Sequence, residues 1–219
     1  MEIKRGLLTR GNKKVGESVH LWSVPAVKTC PGSTETCRRV CYATKSRFLL
    51  QTVKDRLQWN WDQSQLPNFV DRMVAEVRKK GCLVVRVHAA GDFASAEYAE
   101  KWYEIIRRSP RTKFYGYSRS YRVPEIAEVL ERMAALDNFQ LWYSLDADTG
   151  LPERIPPGVR LCYLQSDQEG PESAELIFRV RKLRKEKATR VGLSVICPSE
   201  TPRGRALDTN CGNCRRCWT

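Results

Sequence analysis

The sequence predicts an α/β protein: a partial (β/α)6 TIM-like barrel of parallel strands with a cysteine-rich C-terminal tail. Three observations predict it. Short β-rich runs alternate with helical patterns, and nearly every run ends in polar or ligand-type residues. Seven of the nine cysteines also fall in groups, one near the start and one at the end of the chain. Such alternation implies parallel strands joined by crossovers. In such sheets function gathers at the carboxyl ends of the strands.

The first strand is expected from Val19 to Val24, leading into a cysteine loop. A helical region follows, broken near Pro67 and resuming with Phe69, Met73, Val74 and Val77 on one face. The second strand, Leu83 to His88, runs into Ala89-Ala90-Gly91-Asp92. A helix from about Ser95 carries Tyr98, Trp102, Ile105 and Ile106 at core spacing. Lys113–Ser118 is the third strand, and Pro124 suits the first turn of the next helix. Phe139–Leu145 is the fourth strand. The stretch after it, through Pro156-Pro157-Gly158, is too rich in proline and glycine for a helix. A fifth strand spans Val159 to Leu164, a long amphipathic helix is expected over Glu172–Lys187, and a last strand, Val191–Ile196, delivers Cys197. Residues 1–197 form the barrel-like unit and 198–219 the tail.

The strand ends carry the candidate site residues. They are Cys30 and its partners, His88 with Gly91 and Asp92, Ser118 with Arg119, Ser144 with Asp146, and finally Cys197. His88, Asp92, Arg119 and Asp146 are candidate catalytic groups.

The cysteines occur as Cys30-x6-Cys37-x3-Cys41-Tyr42 and as Cys211-x2-Cys214-x2-Cys217, with Cys197-Pro198 upstream of the tail. Disulfides suit small secreted domains that lack a core. A chain of 219 residues is long enough to bury roughly 70–75% of its unfolded surface. It shows no apolar signal segment at its start and no run near the ~18 apolar residues of a membrane span. The expectation is a cytoplasmic protein with no membrane partner, where grouped cysteines hold metal. Overlapping x2 spacing and a Cys-Pro pair also occur in bacterial ferredoxins, so the tail favours a [4Fe–4S] cluster over zinc, with zinc as the alternative there. The N-terminal trio has no fourth cysteine nearby. An incomplete ligand set suits a catalytic metal, which keeps a position open.

The formal charge is +13. Two thiolate-bound clusters would lower it to about +10. Either value favours an anionic partner such as nucleic acid. Basic residues peak at Arg179–Lys187, with a smaller group at Arg107–Lys113.

On these residues the chain resembles the radical S-adenosylmethionine (SAM) superfamily. Its members place three cluster cysteines after the first strand, an aromatic like Tyr42 beside the last of them, and an acid-ending small-residue motif after the second strand. Ala89-Ala90-Gly91-Asp92 stands at that last place here. The chain is more similar still to a phage-borne family called gene product 88, through its CPG…C…CYA start, its GDF and YSRS segments and its cysteine-rich end.

The resemblance implies a [4Fe–4S] cluster on Cys30, Cys37 and Cys41 whose open iron binds SAM. Ala90, Gly91, Asp92, Ser118 and Ser144 would contact that cofactor. It further implies an electron donor, radical chemistry on an anionic substrate such as nucleic acid, and a second cluster on Cys197, Cys211, Cys214 and Cys217. A phage protein would act in the host cytoplasm. Two departures are visible: x6 and x3 replace the usual x3 and x2 spacing, and Asp92 stands where Glu is common. The alternative function is a non-catalytic, iron–sulfur- or zinc-stabilised nucleic-acid-binding protein.

Overall fold

The computed structural model describes residues 5–166, 173–185, 192 and 194–219. At its centre is a seven-stranded sheet whose strands lie in chain order. β1 (Thr9–Arg10) pairs antiparallel with β2 (Val19–Trp22). β3 (Val84–Val87), β4 (Lys113–Ser118), β5 (Phe139–Leu145), β6 (Val159–Gln165) and β7 (Leu176–Arg179) then follow, each parallel to the one before. The sheet is open, with β1 and β7 at its edges, and it does not close into a barrel. The fold is therefore mixed α/β with a mostly parallel sheet.

Helices make the early crossovers. α1 (Glu35–Val40), α2 (Gln51–Gln65) and α3 (Phe69–Lys80) join β2 to β3. α4 (Ala96–Arg107) joins β3 to β4, and α5 (Pro124–Ala134) joins β4 to β5. Local chemistry sets their ends. The Ser95 hydroxyl accepts from the Tyr98 amide at the start of α4, and Pro124 opens α5. Gly81, at φ 58°, ends α3 in a left-handed turn. The β5–β6 connection holds no helix, as its prolines and glycines predict.

Because side chains alternate along a strand, the sheet has two buried faces. One carries Val85, Val87, Phe114, Leu141 and Leu161 against the helices, where Trp102, Ile105, Leu130 and Met133 meet them. The other carries Val19, Val84, Tyr115, Trp142, Cys162 and Leu176, and is covered by Cys217 and the rest of the tail. The tail is thus packed against the sheet, not set apart from it. It contains α7 (Pro202–Ala206) and α8 (Cys211–Cys214).

Within the described part of the expected Glu172–Lys187 helix, residues 173–185, the chain instead forms β7 and a short α6 (Arg181–Lys185); Glu172, Glu186 and Lys187 lie outside the described residues. The reason is two-sided burial. Leu176 faces the tail layer and Ile177 the helix layer, and both are almost fully buried. Burying each is worth roughly 1.5–3 kcal/mol, well above helix propensities of a few tenths per residue. Within the expected last strand, Val191 and Leu193 lie outside the described residues. Ser194 and Val195 form a turn, and Ile196 makes a single parallel bridge to Ile177.

Candidate metal centres

The N-terminal cysteine loop sits at the carboxyl ends of β2, β3, β4 and β5, and two carboxylates, buried Asp146 and exposed Asp148, pin it there. Thr34 caps α1, its hydroxyl accepting from the Cys37 amide at 2.9 Å. The same hydroxyl donates to Asp146 Oδ2 at 2.6 Å. Asp148 accepts from the Thr36 amide at 2.8 Å and from its hydroxyl at 3.1 Å. Arg119 completes the frame. Its Nε donates to Asp146 Oδ2 at 3.0 Å and its Nη2 to the Leu145 carbonyl at 3.1 Å. Gly32 crosses so close to Arg119 that a Cβ there would lie 2.0 Å from the Arg119 carbonyl oxygen.

Asp92 ties the ends of β3 and β4 together. It accepts from the Phe93 amide, the Ser118 hydroxyl and the Arg119 amide at 2.7–2.8 Å. A carboxylate has about four acceptor sites, so these donors leave little spare capacity. Burial pushes the Asp92 pKa up, against the pull of those donors. Gly91, at φ 80°, is needed for close packing, since a Cβ would lie 2.4 Å from Val24 Cγ2 and 2.7 Å from Thr29 Oγ1. Ala90 is buried, and its carbonyl accepts from the Val24 amide. The Ala89–Asp92 segment therefore buttresses the cysteine loop from behind. The Tyr42 hydroxyl donates to the Ala89 carbonyl from the other side.

Cys30, Cys37 and Cys41 are free and half-buried. Burial and then the Asp92 charge push the Cys30 thiol up to about 12, with Cys37 and Cys41 adding to the shift. Burial also raises Cys37, where Arg119 opposes and Cys41 reinforces. Thiols that raise one another's pKa share one electrostatic neighbourhood. A bound cation would reverse the shift, because thiolates are the metal-binding form.

The tail cysteines sit against the opposite face of the sheet from the helices. Trp142 Nε1 donates to the Cys217 carbonyl at 3.0 Å and Trp218 Nε1 to the Cys211 carbonyl at 3.2 Å. Asn210 caps α8, accepting from the Gly212 and Asn213 amides. Arg215, at φ 62°, ends it. Burial pushes Cys217 up to about 12, and Cys211 and Cys197 contribute. Cys197 is likewise raised by burial, with Cys211 among the further causes. Cys197, Cys211 and Cys217 are thus mutual neighbours, and Cys214 closes the same short helix as Cys211. Among the described residues, no three His, Cys, Asp or Glu side chains converge to grip a single metal ion.

Other candidates are placed elsewhere. His88 is buried against Phe93, Tyr98 and Trp102. Its Nε2 meets the Tyr98 hydroxyl at 2.9 Å, and that hydroxyl accepts from Trp22 Nε1 at 2.8 Å. Burial, then the Arg86 charge, push its pKa down to about 3, so the ring is neutral. Ser144 stands opposite Cys162 in register and hydrogen-bonds its thiol on the tail-side face. Ser118 is spent on Asp92 and on the Ser120 amide. In the basic run, the Arg179 amide donates to Glu200 at 2.7 Å and Arg184 pairs with Glu200 at 2.8 Å. Residues 186–190 of that run lie outside the described residues.

Thr34, Thr36 and Asp148 were not singled out from the sequence. Thr34 carries the signal of a helix cap, but nothing local marks Asp148 as its neighbour's partner. The family model described as Gene product 88 matches residues 3–219. The chain belongs to the gene product 88 family. Two gene product 88 relatives are the Gene 88 proteins of Mycobacterium phage L5 and Mycobacterium phage D29, 33% and 30% identical over 151 residues. Each alignment covers 63% of this chain and 62% or 61% of the relative. The match thus spans less than two thirds of those relatives' length. No solved structure matches.

Proposed function

We propose that this gene product 88 protein is an iron–sulfur protein related in architecture to the radical SAM enzymes. In this reading Cys30, Cys37 and Cys41 hold a [4Fe–4S] cluster with one open iron. Cys197, Cys211, Cys214 and Cys217 hold a second cluster. The observation that carries the reading is the placement of the cysteines in two groups, a loop that Asp146 holds through Thr34 and a set of which Cys197, Cys211 and Cys217 pack on the sheet. One sits at the strand ends beside Asp92 and Asp146, and the other lies against the sheet face under the tail. Three thiols suit a site that exchanges a ligand at its fourth position, while four thiols complete the ligand set of a site that does not.

A cubane cluster at the first site supplies one-electron chemistry to a molecule bound at its open iron. The chain's own residues do the rest. Asp146 and Asp148 hold the cysteine loop in register through Thr34 and Thr36. Asp92 fixes the rim between β3 and β4, and its remaining acceptor capacity would meet at most one donor of a bound cofactor. Arg119, 11% exposed at its side chain, supplies the positive charge nearest Cys37 and favours an anionic substrate there. A curved, barrel-like sheet belongs to this reading too.

The test is anaerobic purification, iron and sulfide counting, and low-temperature EPR of the reduced protein with and without SAM. Roughly eight irons and a signal shifted by SAM are expected for two cubane clusters. About four irons without a SAM effect would leave one electron-carrying or structural cluster. Zinc in place of iron would sink the reading.

A further inference from the structure

Arg86 is an arginine in the middle of an apolar strand. Its register partners are Leu21 on β2 and Tyr115 on β4. Tyr117 lies two residues further along β4, on the same face. The Arg86 guanidinium stands 5.2 Å from the Tyr117 ring centroid, a cation–π contact. Its Nε is buried and finds no hydrogen-bond partner. The Tyr115 hydroxyl, also buried, finds none either. Among the described residues, no carboxylate forms an ion pair with Arg86. Its electrostatic neighbours are first Tyr42 of the N-terminal cysteine loop, which also hydrogen-bonds it, and then Tyr115, Tyr117 and Cys211. Burial keeps both β4 tyrosines well above the ordinary range, so at neutral pH they offer dipoles and not charge.

Arg86 is half-buried as a residue, but its Nε is fully buried, and an orphaned buried donor calls for a ligand. On this face Tyr115 and Tyr117, beside Arg86, pack in one cluster with Cys197, Cys211 and Cys217. Tyr117 hydrogen-bonds the Cys217 sulfur, and Tyr115 interacts with Cys211. Four thiolates around a [4Fe–4S]2+ core carry a net charge of about −2. That charge is opposite in sign to a guanidinium that no carboxylate pairs, and its thiols lie on the sheet face that carries Tyr115 and Tyr117.

We infer that Arg86 is the counter-charge of a thiolate-bound cluster on the tail cysteines, with Tyr115 and Tyr117 as its O–H donors, and that the three set its reduction potential. This rests on the tail cysteines being cluster ligands, as proposed above. A nearby cation and hydrogen bonds to sulfur stabilise the more negative, reduced form.

The experiment is an EPR-monitored redox titration of the tail cluster in a Cys37→Ala background, which isolates it. Arg86→Met is expected to disfavour reduction at least tenfold, about 59 mV downward for a one-electron couple. Arg86→Lys, which keeps the charge, should stay near the parent. Tyr117→Phe should move the potential the same way by less. A loaded tail whose potential is unmoved in Arg86→Met overturns this inference alone. A parent protein whose tail holds no iron–sulfur cluster overturns both readings. If Arg86→Met does not accumulate as loaded protein, Tyr117→Phe decides: a lower potential supports the donor set, and an unchanged one overturns it.

Discussion

The two cysteine regions use the same side chain in opposite settings. The N-terminal trio hangs from a loop at the strand ends, and hydrogen bonds that the loop donates to distant carboxylates hold it. The tail cysteines lie on the sheet itself, among Tyr115, Trp142 and Cys162, and packing holds them. The first arrangement is polar and directional. The second rests on packed side chains, although of its four cysteines only Cys217 is buried and the others are half-buried like the N-terminal trio. On the proposed reading, three thiols held by directional hydrogen bonds leave a ligand position open, and four thiols held by packing fill theirs.

The sharpest way to break this comparison is to remove one region's ligand. Cys37→Ala should abolish the N-terminal cluster and leave the tail's, so that iron and sulfide per chain fall by about half. Loss of all iron would mean one shared site and end the contrast.

Next in size is the polar clamp. Asp146 is fully buried at its side chain and pairs with Arg119 at 3.0 Å. Asp146→Ala leaves that arginine nearly buried and unpaired, a loss of about 3–5 kcal/mol in chemical unfolding. A loss below about 1 kcal/mol would show that the loop does not depend on the pair.

Gly32→Ala probes the same loop through its backbone. The added Cβ meets the Arg119 carbonyl at 2.0 Å, so the loop must shift. A destabilisation of about 1–3 kcal/mol is expected, together with weaker iron binding at the first site only. Iron lost equally from both sites would count against their independence.

His88 tests the core beneath both regions. Its folded pKa, about 3, lies below the ordinary histidine value. The unfolded chain therefore takes up the proton first as pH falls. The stability from keeping His88 neutral is complete above about pH 6.5 and drains away as pH drops toward 3. His88→Phe should flatten the fall in unfolding midpoint across that window, and parallel curves for the two proteins would refute the assignment.

The smallest effect belongs to Asp148, an exposed residue whose pKa the Thr36 amide pulls down. Asp148→Asn should leave the melting temperature almost unchanged and speed hydrogen exchange at the Thr36 amide. Unchanged exchange would remove Asp148 from the clamp.

Much of this was legible in the sequence. Lys113–Ser118 and Phe139–Leu145 are strands at the residues their apolar runs and turn signals indicate. The break near Pro67 and the helix start at Ser95 are local chemistry, written in neighbouring residues. The segment around Leu176 misled because its apolar residues fit a helical stripe as well as a strand. Only the presence of buried layers on both sides selects the strand.

The site divides along the same line. Sequence alone marked seven cysteines as candidate ligands from their short spacings; among the described residues, no three of them converge on a single ion. It also marked Asp92, Arg119 and Asp146 as strand-end groups. Only the tertiary structure decided what those groups do. It spends Asp92 on three neighbours, joins Asp146 to Thr34 across 112 residues, and turns His88 into a core ring. It also brings Arg86 under the tail. Spacing along the chain fixes contacts a few residues apart. Partners a hundred residues apart are fixed by sheet register and by the packing of buried faces, and no local pattern encodes either.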